Sequence, residues 1–327
     1  MGAVTDVSVI VVNWNTCRLL EACLRSVEGT RENLTVDVIV VDNGSADGSV
    51  ELVREHFPRV ELIANTSNRG FAAGNNQALE RARGRYLFLL NSDAEVEAAA
   101  LRALVSYADE HRQAGVIGPK LLNPDGTLQP SGGHFPTPVA TVAELLGLNR
   151  LTGRPRYGTQ RDYDRPAEVD EVSGAAMLIR PEVIRQIGGL DEQFAWGYED
   201  VDFCLRAKRA GWQVHYVPAA RVVHQWGGSQ RLAPAPTILK AIAGRRRYFQ
   251  KHYGRVAASA VISATFISHV MRLAIFAAGG LRSHGLRERA RTELAVLRNF
   301  AKNFPSSSDG GQNLTSPSGG GGQGGGS

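Results

Sequence analysis

Two acidic side chains directly follow long apolar runs. Asp42 comes after residues 36–41, β-branched but for Asp37, and Asp93 closes the segment Tyr86-Leu87-Phe88-Leu89-Leu90-Asn91-Ser92-Asp93. A continuous apolar run of this length suits a strand buried on both faces. In an open α/β sheet, ligands lie beyond the carboxyl ends of the strands, so Asp93 is presented to a crevice. There Asp93 can hold a divalent cation against a diphosphate. Asp42 can accept hydrogen bonds from a ribose or from the imide N–H of a pyrimidine base. Each stretch alone also reads as a plain turn, because Asn, Ser, Asp and Gly are turn residues.

A third acidic group lies in Trp196-Gly197-Tyr198-Glu199-Asp200-Val201-Asp202-Phe203-Cys204-Leu205-Arg206. Acids at a helix start are favoured by the helix dipole, which is the structural explanation for all three. Glu199 and Asp202 are neighbours on one helix face and Asp202 can pair with Arg206 at i+4, whereas Asp200 points elsewhere and is free for a separate task. In Asn68-Arg69-Gly70-Phe71-Ala72-Ala73-Gly74-Asn75-Asn76, small residues let backbone N–H groups approach a ligand, and Arg69 can meet a phosphate or a base. An ordinary glycine-containing loop has the same composition. His224 ends a short strand-like run from Arg221, and a lone histidine there is more often structural than functional.

These side chains need elements to hold them. The apolar runs predict strands over 7–12, 36–41, 60–64, 86–90, 116–118 and 172–180. Helical patterns lie between them. Over 17–27, Leu19, Leu20, Cys23, Leu24 and Val27 form one stripe with Asn15 or Thr16 as its cap. A second pattern covers about 97–111, Asp47 can cap a helix that follows it, and Pro181 starts another. Alternating strands and helices predict an α/β fold with a mostly parallel sheet covered on both sides. No G-x-G-x-x-G follows the first strand, which argues against a dinucleotide-binding oxidoreductase. Residues 124–158 are rich in Gly, Pro and Thr and read as a substrate loop or lid. Ser173-Gly174-Ala175-Ala176 is small enough for close backbone approach.

The 327 residues suit one large domain or two smaller ones, and three cysteines without metal-type spacing read as reduced packing residues. The first residues lead straight into a strand with no secretion-signal pattern, so a cytoplasmic location is expected. Charge is divided unevenly. Residues 1–230 carry 23 Lys/Arg against 29 Asp/Glu, a net of −6, and residues 231–304 carry 14 against two, a net of +12. Nucleic acid, a membrane surface or an acidic partner would each suit such a basic segment. Residues 237–253 form a helical pattern bearing Lys240, Arg245, Arg246, Arg247 and Lys251. Residues 256–281 are apolar but interrupted by Ser259, Ser263, Ser268, His269 and Arg272. That falls short of the ~20 consecutive apolar residues of a membrane span. It fits either a helix in the membrane interface, with basic residues meeting anionic head groups, or a helical hairpin packed on the preceding domain. Residues 305–327 are Ser/Gly-rich and read as disordered.

Taken in order, VSVIVVNWN, VVDNGSADGS, NRGFAAGNN, FLLNSD and GYEDVDFCLRAKRAG, followed by HQWGG, resemble the family 2 inverting glycosyltransferases, especially their bacterial rhamnosyltransferase-like branch. The resemblance covers residues 7–229. It implies the GT-A nucleotide-sugar-binding fold for residues 1–230; the basic, partly amphipathic helical extension over 231–304 lies outside it. It further implies a nucleoside-diphosphate sugar donor bound by Asn13, Asp42, Arg69, Asn75, Asn91 and Asp93. Asp93 and His224 would be ligands of a divalent cation, Mg²⁺ or Mn²⁺, and Asp200 the general base with Glu199 beside it at the acceptor. Asn91 stands where many relatives have the first acid of an Asp-x-Asp motif; its amide brings no charge to a cation. Together with the basic, amphipathic tail, the resemblance implies transfer of a sugar, rhamnose from dTDP-rhamnose by preference, to a lipid-linked or cell-envelope glycan by an enzyme peripheral to the inner face of the cell membrane. A UDP-hexose-dependent enzyme of the same fold and a non-catalytic nucleotide-sugar-binding module are the alternatives. Nucleic acid is not an expected partner.

Overall fold

The computed structural model describes residues 5–30, 34–148, 159, 162–194, 196–225, 234–280 and 283–303. Residues 149–158 of the expected lid, the Trp226-Gly227-Gly228 end of the last motif and the Ser/Gly-rich tail lie outside the described residues.

The first half alternates as the apolar runs require: β1 (Val7–Asn13), α1 (Cys17–Glu28), β2 (Val36–Asp42), α2 (Ser49–His56), β3 (Glu61–Ala64), α3 (Phe71–Leu79) and β4 (Tyr86–Asn91). These four strands are parallel in the order β3-β2-β1-β4. Alternate residues of β1 serve opposite faces. Val7, Val9 and Val11 pack against α1, α2 and α4 (Ala100–Glu110), while Ile10 packs towards α3. Burying each such side chain contributes roughly 1.5–3 kcal/mol. Ser8, the one polar residue of the run, is fully buried and its Oγ accepts the Gly84 N–H at 2.8 Å. A Cβ on Gly84 would lie 2.3 Å from the Ser8 nitrogen, so the approach requires glycine.

Beyond β4 the sheet is mixed. β11 (Ala176–Ile179) lies antiparallel between β4 and β6 (Ala114–Leu122), and β12 (Gln213–His224) runs parallel to β6. β5 (Ala94–Val96) pairs antiparallel with the end of β12, placing His224 opposite Ala94. Sequence reading gives β5 to the turn and recognises only the last third of β12, because three residues are too few to display a period. The expected lid region contains β7 (Leu128–Gln129), β8 (Gly132–Gly133) and α5 (Pro138–Leu145). β8 pairs with β10 (Glu171–Val172), and β9 (Ala167–Val169) pairs with β12. α6 (Pro181–Ile187) and α7 (Glu199–Arg209) cover the face opposite α1.

The basic segment forms two helices, α8 (Pro234–Gly280), kinked at Gly254, and α9 (His284–Asn303). Tyr248, Phe249, Ala258 and Val261 of α8 pack on Phe194, Tyr198 and Val201. Ion pairs reinforce this seam: Lys251 reaches Asp191 and Asp202 at 2.7 Å each, and His252 Nε2 lies 2.7 Å from Asp202 Oδ1. Burial alone would raise the Asp202 pKa, but His252, Lys251 and Arg206 outweigh it and hold the carboxyl at about 2. One reading of the segment, a hairpin packed on the preceding domain, therefore describes one face of α8. Its other face is solvent-exposed and apolar, with Val256, Ile267, Val270, Met271 and Ile275 outward. By length and composition α8 is also apolar enough to cross a membrane, although its serines, His269 and Arg272 interrupt the run.

Candidate active site

The carboxyl ends of β1 and β4 and the amino end of α3 surround a cavity of about 620 Å³. Asn13, Arg69, Asn91 and Asp93 line it, and aromatic walls come from Trp14, Phe71, Phe194 and Trp196. The strand ends are bonded to one another beneath it. Asn13 Nδ2 donates to Asp42 Oδ2 at 2.8 Å, Thr16 Oγ1 donates to Asn13 Oδ1 at 2.6 Å, and Thr16 and Ser92 hydroxyls lie 2.9 Å apart. Thr16 is thus engaged with Asn13 and does not cap α1 through its side chain; the Cys17 N–H donates to Asp47 Oδ2 instead, at 2.7 Å.

Two expected donor contacts sit below this surface. Asp42 is buried, its Oδ2 accepting from Asn13 and its Oδ1 from the Ser45 N–H at 2.8 Å, so it sets the orientation of Asn13. Asn75 is buried within α3, where its Nδ2 donates to the Phe71 carbonyl at 2.9 Å. Neither lines the cavity. The helix face that Asn75 occupies is set by three-dimensional packing, which the motif alone does not carry.

The sheet register brings together Asp93 and His224, 131 residues apart. His224 Nε2 lies 3.2 Å from Asp93 Oδ1 and 3.3 Å from Asn91 Nδ2. Its other ring nitrogen, Nδ1, is 2.7 Å from Gln129 Oε1, an orientation fixed because Gln129 Nε2 donates to Asn123 Oδ1 at 3.0 Å. With Nδ1 carrying the proton towards Gln129, Nε2 presents its lone pair beside Asp93, which is how a metal-ligating histidine is oriented. Among the described residues no group of three or more His, Cys, Asp and Glu is placed to hold a metal. Asp93 and His224 alone would leave the remaining positions around a cation to oxygens of a bound phosphate and water. Gln129 was not legible as a site residue, since nothing in its sequence neighbourhood marks it.

Asp200 and Glu199 open α7. Asp200 Oδ2 accepts the Gly174 N–H at 2.8 Å and its Oδ1 the Val201 N–H at 2.8 Å. Gly174 adjoins Ala175, whose carbonyl accepts the Asn91 N–H at 2.9 Å, so the small Ser-Gly-Ala-Ala stretch ties the carboxylate to the tip of β4. Asp200 and Glu199 are not themselves lining residues of the cavity; Trp196, at the approach to α7, is. Both residues before the helix, Gly197 and Tyr198, have positive φ, of 75° and 72°. For tyrosine this backbone is uncommon and marks local strain beside the acidic pair. Burial raises the Asp200 pKa, against the two N–H groups that lower it; burial and the Asp200 charge raise that of Glu199. Among the described residues, Glu199 Oε2 is buried without a hydrogen-bond partner.

Glu171 adds a third buried acid. Burial, then the charges of Asp200 and Asp170, push its pKa to about 8 from an ordinary 4.5. The folded protein therefore keeps this proton where the unfolded chain loses it, and stability falls as pH rises from 4.5 towards 8. Glu171→Gln is expected to gain stability over wild type across that interval. Urea midpoints at pH 5 and pH 8 measure it, and a difference that does not grow with pH rejects it.

The sequence model of glycosyl transferase family 2 matches residues 8–188, more than half of the chain. The chain belongs to glycosyl transferase family 2. A second model, the N-terminal domain of galactosyltransferase, matches residues 154–226. The chain is 29% identical over 248 residues to N-acetylglucosaminyl-diphospho-decaprenol L-rhamnosyltransferase of Mycobacterium tuberculosis, covering 71% of this chain and 80% of that protein. It is 27% identical over 223 residues to a low-salt glycan biosynthesis hexosyltransferase of Haloferax volcanii, covering 67% of each. Among solved structures, a mannosyltransferase of Pyrobaculum calidifontis in complex with GDP-Man and Mn²⁺ superposes with a TM-score of 0.52 at 19% identity, over 93% of this chain and 88% of that one. GalNAc-T7 with UDP, GalNAc and Mn²⁺ gives 0.54 at 17% identity, over 78% and 52%. The fold is that of the GT-A glycosyltransferases, and this family 2 member is a glycosyltransferase similar to a rhamnosyltransferase.

Proposed function

We propose that this glycosyltransferase moves a sugar from a nucleoside diphosphate to a hydroxyl of a lipid-linked or cell-envelope glycan with inversion. The observation that carries the reading is the meeting of Asp93 and His224 at 3.2 Å beside a cavity lined by Asn13, Arg69 and Asn91. Asn13, held by Asp42, and the aromatic walls bind the nucleoside. Arg69 approaches the diphosphate. Asp93 and His224 would hold Mg²⁺ or Mn²⁺, which when bound neutralises charge on the leaving diphosphate. Asp200, anchored by Gly174, accepts the proton of the acceptor hydroxyl as its oxygen bonds to the anomeric carbon. The bond from that carbon to the phosphate oxygen breaks on the opposite face, so the configuration inverts.

Rhamnose carried by dTDP is the favoured donor because a rhamnosyltransferase is among the relatives, and that relative is named for a lipid-diphosphate acceptor. Thermal shift against dTDP-rhamnose, UDP-glucose and UDP-N-acetylglucosamine, with and without Mn²⁺, tests the donor. The largest shift is expected for dTDP-rhamnose with Mn²⁺; a larger shift for a UDP-hexose makes the enzyme a hexosyltransferase of another donor, and no shift with any donor removes the reading.

A lipid-linked acceptor places the enzyme at a membrane, and α8 and α9 suit that surface. α8 carries the exposed apolar residues Ile267, Met271 and Ile275 with exposed Arg272, and α9 adds exposed Arg287, Arg289 and Arg291, which complement anionic head groups. Ile267→Glu combined with Met271→Glu is expected to abolish co-sedimentation with phosphatidylglycerol vesicles while the donor-induced thermal shift persists. Undiminished vesicle binding by the double variant counts against this docking face.

A further inference from the structure

Lys240 lies outside everything that identifies the family. The family match ends at residue 188 and the galactosyltransferase-domain match at residue 226, yet α8 brings this lysine to the wall of the cavity lined by Arg69, Asn91 and Asp93. Its helix is fixed there. Arg245 Nε donates to the Tyr198 hydroxyl at 3.1 Å, and a Cβ on Gly244 would lie 2.4 Å from the Gly197 carbonyl oxygen, so α8 meets the strained turn before Glu199 backbone to backbone. Lys120, Lys208 and Lys251 are each paired with carboxylates. Lys240 is exposed, and among the described residues it has neither an ion pair nor a hydrogen bond.

The cavity's lining carries two acids, Asp93 at the β4 tip and Glu192, and one other cation, Arg69. Asn91 leaves Asp93 as the single acid at the β4 tip, which weakens the case for neutralising a diphosphate through a tightly held cation alone. An unpaired ammonium in the same cavity supplies positive charge directly, as a mobile donor of charge-assisted hydrogen bonds.

We propose that Lys240 is a phosphate-binding residue contributed by the carboxyl-terminal extension, donating from Nζ to the donor's diphosphate and sharing its countercharge with Arg69. The proposal rests on reading the cavity as the nucleotide-sugar site. It makes α8 part of the active-site wall, so the extension contributes to donor binding.

Calorimetric titration of the full chain with dTDP, UDP, dTMP and UMP, each with and without Mn²⁺, tests it through the difference between diphosphate and monophosphate. Lys240→Met is expected to weaken diphosphate binding roughly ten- to a hundredfold while monophosphate binding changes by no more than about threefold, and Lys240→Arg to retain most of the difference. A wild-type ratio of diphosphate to monophosphate affinity in Lys240→Met overturns the proposal, as does an equal loss for both, which would make the lysine structural. Wild-type protein that binds none of the four overturns the nucleotide-site reading itself, a result distinct from an unchanged ratio.

Discussion

Asp200→Asn is expected to lower kcat by about 10²–10⁴-fold, the contribution of a positioned general base, with donor affinity retained. The substitution keeps the shape of the side chain and removes its ability to take a proton. One of the two N–H groups now bonded to it, from Gly174 or Val201, keeps an oxygen to bond, so α7 remains attached to the 173–175 turn. Donor binding is preserved because Asp200 is not a lining residue of the nucleotide cavity. A pH profile separates chemistry from structure. Burial raises the Asp200 pKa, so kcat/KM is expected to fall on the acid side through a limb above the ordinary aspartate range, because the protonated carboxyl has no capacity to accept the acceptor's proton. Glu199 and Asp200 influence each other, so the limb belongs to the pair. Wild-type turnover in Asp200→Asn, or an acid limb unchanged in its residual activity, would remove Asp200 from the reaction.

The residues legible in the sequence are those that local pattern reports. The strand before Asp93 is a continuous apolar run and the strand before Asp42 is apolar but for Asp37, and both end on the side of the sheet where a parallel α/β arrangement places its crevice. Arg69 followed from small residues at a helix start. What was not legible depends on partners distant in sequence. Asp42 and Asn75 carry the types expected of donor contacts, but cross-strand and intrahelical hydrogen bonds engage them below the cavity floor. Gln129 orients His224 across 95 residues, through a two-residue strand too short to have a period. Lys240 read as one cation in a basic helix because sequence does not say which face of that helix packs against Phe194 and Tyr198. The antiparallel insertion of β11 is likewise a property of topology, since a buried strand looks the same in either direction.

Asp93→Asn is expected to lower kcat/KM with the nucleotide-sugar donor by about a hundredfold or more. Its carboxylate is the one charge at the β4 tip, where Asn91 and Ser92 are neutral, and His224 Nε2 stands 3.2 Å away as a second donor. Lewis-acid neutralisation of a leaving diphosphate is worth several kcal/mol, and each ~1.4 kcal/mol is tenfold in rate, so loss of the carboxylate reaches that size. Folding should be little affected, because the side chain is partly exposed and the backbone bond that closes this corner, from the Gln225 N–H to the Asp93 carbonyl at 2.9 Å, does not involve it. The distinguishing measurement is the Mn²⁺ dependence of dTDP binding. Wild type should bind dTDP more tightly as Mn²⁺ is added, Asp93→Asn should be nearly indifferent to it, and Asn91→Asp should move the other way by adding a second carboxylate. Lys240 and Arg69 leave dTDP with some affinity in Asp93→Asn, so a variant that still binds dTDP but ignores Mn²⁺ isolates the role of the carboxylate. Mn²⁺ dependence equal to wild type in Asp93→Asn would place the cation elsewhere and separate Asp93 from the diphosphate.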